Sequence, residues 1–129
     1  MDLIVRESLP EERLPGRTVQ KAVGKDAASK SGRMTMGFAR YSAESGRMEP
    51  HRHAEETIYV VGAHDASVRF GPAQDQLGKP VPLHTGTTLH FGELEWHVFE
   101  YGEEGFVDVI FFYGQVDNIR PEEMEQGAR

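Results

Sequence analysis

GRMEPHRHAEETIYVVG, residues 46–62, places two histidines one residue apart immediately before a run of β-branched and aromatic residues. Successive side chains of an extended chain point to opposite faces, so His51 and His53 present both imidazoles on one side and Arg52 on the other. Glu55 and Glu56 follow, directly ahead of Thr57–Val61. Two nitrogen donors and a nearby carboxylate make a set suited to a divalent transition metal. A second stretch, GTTLHFGELEWHVFEYG at 86–102, brings His97 into a strand–turn–strand pattern.

Around these stretches, short β-branched and aromatic segments alternate with Gly, Pro, Asp and Ser. Strands are expected near 3–6, 17–23, 33–41, 48–53, 57–62, 66–70, 79–83, 87–91, 96–101 and 106–113. Helix signals are nearly absent. KDAASKSG at 25–32 reads as a loop, and only PEEMEQGAR, from Pro121, has a helix start, with proline first and acidic residues in the opening turn. The pattern predicts one all-β domain over residues 1–129, a sandwich or barrel. Within it, 33–113 is the barrel core, 1–32 an N-terminal part and 114–129 a tail. Alternation from Arg33 to Tyr41 sets Met34, Met36 and Phe38 on one face and Thr35, Gly37 and Ala39 on the other. If the first set lines the barrel with Ile58, Phe99 and Phe112, the pocket is largely apolar and suits a diketone or phenolic ketone.

Composition narrows the chemistry. The 129 residues are 38% hydrophobic and 27% charged, and none is cysteine. Disulfides, thiolate ligands and cysteine nucleophiles are therefore excluded, leaving imidazole, carboxylate and hydroxyl groups. The net charge of −7 is uneven: residues 1–40 are net basic and the remainder strongly acidic. An acidic body repels a phosphate backbone, which argues against nucleic acid as partner. No run approaches the roughly 18–20 apolar residues of a membrane helix. The N-terminus lacks the basic lead-in and cleavage pattern of a secretory signal. A cytoplasmic protein with no membrane partner is the expectation.

At the paired histidine stretches the chain resembles the cupin superfamily, over about residues 33–113. Gly46, His51 and His53 match the opening of the family's first motif with one residue fewer before the histidines. Thr57–Val61 resembles the strand that follows the family's carboxylate ligand, which selects Glu56. Gly86 to His97 has the spacing of the second motif, although Gly92, Leu94 and Tyr101 stand where the family has Pro, Gly and Asn. The resemblance implies a double-stranded β-helix barrel holding a divalent metal through His51, His53, Glu56 and His97. Iron(II) is the first expectation, with Mn, Zn, Ni or Co as alternatives. It further implies an enzyme acting on a small organic molecule, first a dioxygenase-type oxidoreductase. The alternatives are a redox-neutral Zn or Mn isomerase, lyase or polyketide-type cyclase, and a non-catalytic ligand-binding barrel. His90, seven residues before His97, and Glu95, two before it, are the candidate proton carriers. His64 and His84 lie near turns and read as solvated. A homodimer is the partner expectation, with the basic N-terminal part against a partner's acidic barrel.

Overall fold

The computed structural model describes residues 1–121 and residue 123. Of the helix expected from Pro121, Pro121 and Glu123 are described and are helical, and the rest lies outside the described residues. Eight strands follow one another: β1 (Glu12–Leu14), β2 (Arg17–Gly24), β3 (Ser29–Lys30), β4 (Thr35–Ser42), β5 (Glu56–Gly71), β6 (Val81–Pro82), β7 (Thr88–Phe91) and β8 (Trp96–Tyr113). They form one sheet in the order β1-β2-β4-β8-β5-β6, with β3 beside β2 and β7 beside β5. All pairings are antiparallel except the two-residue contact of β2 with β3.

The pairs of short strands expected at 57–62 and 66–70, and at 96–101 and 106–113, are two long strands that turn a common corner. On β5 the register slips at Val60/Gly62 and at His64/Ala66. Between the last pair sits Asp65, at φ +44°. Opposite it, β8 passes through Gly102 and Gly105, where a Cβ would collide with Asp65 itself. Glycine is thus required on the facing strand, and the corner folds the sheet over its own inner face. Loop-like residues at 62–65 and 102–105 belong to the bend.

Elsewhere the expected segments shift. Residues 3–5 are not in a strand, and Arg6–Ser8 forms a 3-10 turn. Residues 48–53 form no strand; their ladder consists of one bridge, His51 to His97. The inner face of β4 is also the opposite of the expected one. Gly37, Ala39 and Tyr41 point inward, whereas Met34 and Phe112 are 55% and 44% exposed. Gly37 shows why: a Cβ there would run into the Gln20 carbonyl and the Phe111 ring. The small residue marks the tightly packed side, and the bulky Met34, Met36 and Phe38 stand on the outer one.

The core between the folded faces holds Ile58, Val60, Val68, Phe99, Val107 and Val109, all essentially sealed from solvent. Burying such side chains gains roughly 1.5–3 kcal/mol each, which lets the same interior carry a few polar groups. His97 and Glu56 are among them. Among the described residues, no helix is long and apolar enough to cross a membrane.

Candidate metal centre

His51 and His97 are fixed to each other by their own backbones. His51 N–H donates to the His97 carbonyl and His97 N–H to the His51 carbonyl, both at 2.9 Å. A directly opposed antiparallel pair places both side chains on the same face, and the ring centroids stand 4.4 Å apart. His53, two residues on, adds a third ring 4.7 Å from His97. The three imidazoles form one group whose potential donor atoms lie within 4.8 Å of one another.

The outward nitrogens are all occupied. His51 Nδ1 bonds the Glu49 carbonyl at 3.1 Å, His53 Nδ1 the Ala54 carbonyl at 2.8 Å, and His97 Nδ1 the Glu95 carbonyl at 2.9 Å. A carbonyl only accepts, so each Nδ1 carries the hydrogen and each Nε2 keeps its lone pair. Burial reinforces this state. It lowers the His51 pKa to about 4 and that of His97 to about 2, and it lowers His53 too. The other histidines and Arg17 add to the effect at His97. At neutral pH three uncharged, correctly tautomerised imidazoles therefore share one buried space. Phe91 holds the set from one side, its ring stacked on His97 at 4.0 Å and 20°.

Glu56 stands at the edge of this group. It is 5% exposed, and its Oε1 lies 3.4 Å from His53 Nε2. Burial raises its pKa to about 7, against the opposing pull of the Tyr113 hydroxyl bond and of Arg17. Tyr113 also sets its ring edge-on to His53 at 5.6 Å, and burial pushes its phenol well above the usual range. Tyr41, buried against Phe99 at 4.3 Å, is likewise held neutral.

The structure brings His51, His53 and His97 together and sets Glu56 beside them. It does not bring His90 or Glu95 there. His90 faces outward on β7 because its neighbour Phe91 faces in, and its Nε2 meets Glu55 at 2.6 Å with both side chains more than 60% exposed. The Glu95 carboxylate turns back to accept the Gly92 N–H at 3.1 Å, closing its own turn; its backbone carbonyl is the part that meets His97. His64 and His84 are exposed. Phe91, Tyr41 and Tyr113 were not singled out for the site, since bulky aromatics at strand spacing read equally as core. Their place comes from strand pairing, which sets Glu56 directly opposite both Phe91 and Tyr113.

The fold agrees with solved structures. The polyketide cyclase RemF from Streptomyces resistomycificus superposes with a TM-score of 0.71 at 18% identity, over 93% of this chain and 84% of that one. A protein from Planctomyces limnophilus gives 0.69 at 18%, over 95% and 94%. Ectoine synthase from P. lautus gives 0.65 at 12%, over 98% and 86%. No family model and no curated protein sequence matches the chain. The neighbours are cupin-fold proteins, and this chain has the cupin fold.

Proposed function

We propose that this chain is a metal-dependent enzyme acting on a small organic molecule, with a divalent transition metal held by His51, His53 and His97 and with Glu56 beside it. One observation carries the reading. All three Nδ1–H groups are tied to main-chain carbonyls, which leaves three Nε2 lone pairs for a common ion. Such outer bonds are how proteins orient imidazole ligands and raise their basicity. The donor set suits iron(II), Mn, Zn, Ni or Co. A bound ion supplies Lewis-acid polarisation of a substrate oxygen or, if redox-active, electron transfer to dioxygen.

The chain's own residues favour proton-transfer chemistry, as in a redox-neutral cyclase, lyase or isomerase. Glu56 is a buried carboxyl with its Oε1 3.4 Å from His53 Nε2, and Tyr113 lies directly opposite it on the neighbouring strand. A carboxyl held beside the three imidazoles is placed for general acid–base work on a molecule bound there. The names of two near-full-length neighbours, a cyclase and a synthase, point the same way. The second reading is dioxygenase-type oxidation, favoured by the all-nitrogen face of the three histidines. Metal analysis of protein purified without chelator tests the common premise, and a wild type with no more metal than His51→Ala or His97→Ala sinks it. Oxygen uptake with candidate substrates separates the two chemistries, because only the second consumes dioxygen. A metal-loaded protein that turns over none of them would favour the binding-module reading.

We further propose a homodimer formed through the outer face of β4, β8 and β5. Met34, Tyr59, Val61 and Phe112 are each more than 40% exposed there, an apolar grouping that monomers usually avoid. The face is self-complementary in charge. At one end Arg6 and Arg40 share the single carboxylate of Asp108, and at the other, roughly 20 Å along the strands, stands Glu55. A two-fold axis lying in the interface brings opposite ends together. Light scattering is expected to give a dimer that Phe112→Arg converts to monomer with its metal content intact. A wild-type monomer throughout the micromolar range overturns it.

A further inference from the structure

The three imidazoles are not held by their backbones in the same way. His51 and His97 face each other across a bridge with two hydrogen bonds. His53 lies beyond that bridge and ahead of β5, outside any strand. What fixes it is the peptide unit that joins it to Ala54. The carbonyl of that unit, His53's own, accepts the Leu94 N–H at 2.8 Å, and its N–H, that of Ala54, donates to the Ile119 carbonyl at 2.9 Å. In a trans peptide these two groups point in opposite directions, so the unit is gripped from both sides. Ala54 is 1% exposed, and its own carbonyl accepts the His53 Nδ1–H at 2.8 Å. The orientation of the ring therefore depends on where the Ala54 backbone stands.

Ile119 belongs to the segment that follows β8, and side chains build that segment. At its start, the Gln115 carbonyl accepts the Thr35 hydroxyl at 2.8 Å. The Gln115 side-chain amide then donates to the carbonyls of Asp117 at 2.7 Å and Asn118 at 3.1 Å. These bonds curl the chain back on itself. Asn118 accordingly takes φ +56°, a left-handed conformation that asparagine tolerates and β-branched residues do not. Lys25 meets Asp117 at 2.7 Å and Arg120 meets Glu12 at 3.8 Å, but water screens both pairs and leaves them weak. The buried attachment is the bond from Ala54 to Ile119, and the Gln115 amide shapes the turn that delivers it.

We infer that Gln115 is a positioning residue for the metal centre. By shaping the turn over 115–119 it presents the Ile119 carbonyl to Ala54, and so keeps His53 aligned with His51 and His97. The purpose of that alignment rests on the metal-dependent reading above; the hold on Ala54 does not.

The test uses the full chain and two measurements. One is zinc(II) affinity, by competition with a chelating indicator. The other is exchange of individual backbone amide hydrogens in the metal-free protein, followed by NMR. Gln115→Leu keeps the bulk of the side chain and removes both amide bonds. It is expected to weaken zinc binding about tenfold or more. Exchange at Ala54 should speed up about tenfold as local opening becomes easier, while His51 and His97, bonded to each other, keep their wild-type rates. Asn118→Val, which strains the turn, should act in the same direction, whereas Asn118→Gly, free to adopt positive φ, should keep both wild-type values. Wild-type zinc affinity in Gln115→Leu, or weaker affinity with Ala54 exchange unchanged, overturns the assignment. So does exchange that rises equally at His51, Ala54 and His97, since the segment would then only stabilise the barrel as a whole. If wild type binds no zinc but Gln115→Leu still frees Ala54 selectively, the metal-dependent reading falls and the hold on His53 stands.

Discussion

Two glutamate–histidine pairs lie back to back across β5, and they behave in opposite ways. Outside, Glu55 and His90 meet at 2.6 Å in full view of solvent. Inside, Glu56 and His53 are farther apart, at 3.4 Å, and almost wholly buried. Distance alone ranks the outer pair first. Water reverses the ranking, because it screens the outer charges and leaves that contact worth about 0–1 kcal/mol. The inner groups have no such screen. Burial raises the carboxyl and lowers the imidazole, so the close approach is not a fully formed ion pair at neutrality. Reactivity here follows from which face of one strand a residue occupies.

The largest test of this contrast is His97→Ala. It removes a ligand, the partner of the Phe91 stack and a side chain with 1% exposure. Complete loss of bound metal is expected, together with a lower melting temperature than the chelated wild type; metal retained at wild-type stoichiometry would break the assignment. Phe91→Ala leaves the ligands in place but opens a cavity beside them. A destabilisation of about 3–5 kcal/mol is expected in denaturant unfolding, with metal affinity weakened rather than abolished.

Glu56→Gln sharpens the comparison through pH. In the unfolded chain the carboxyl loses its proton near 4.5, whereas in the fold it keeps it to about 7. Between those values the unfolded state binds fewer protons, so this group lowers the stability of metal-free protein as pH rises. The full difference, on the order of 3 kcal/mol, is present above pH 7. The histidines act with the opposite sign: from pH 6.5 down to about 4 for His51 and about 2 for His97, the unfolded state takes up protons the fold refuses. Metal-free Glu56→Gln is therefore expected to gain stability on wild type as pH rises from 4.5 to 7, measured by urea unfolding across pH. Both proteins should weaken alike on acidification below that window. Equal stability at pH 5 and pH 8 in the two proteins would show that Glu56 is not the buried acid described.

The smallest effect belongs to the outer pair. His90→Ala or Glu55→Gln should change stability by less than about 1 kcal/mol and leave metal content untouched. A loss of metal in either would put the outer face back into the chemistry.

The sequence allowed the inner set to be read further than its walls. His51, His53, His97 and Glu56 stood out because period-two spacing and a strand start fix their side. The inner face of β4 was misread because both of its alternating sets can pack. Close approach at Gly37, visible only in three dimensions, decides which does. The corner at Asp65 was hidden for a related reason: glycine-rich breaks inside a long strand look like turns between short ones.

The bridge that joins His51 to His97 also has a temporal meaning. Its two hydrogen bonds close a loop of more than forty residues, a step whose entropy must be overcome before any non-local contact rewards it. His51 and His53 alone, two neighbours on a flexible chain, offer an ion little grip. The third donor arrives only with the closed barrel, so capture of metal is a late event on the folding route. Once there, the ion slows escape from the native state more than it speeds arrival, acting as a latch fitted after the door has shut.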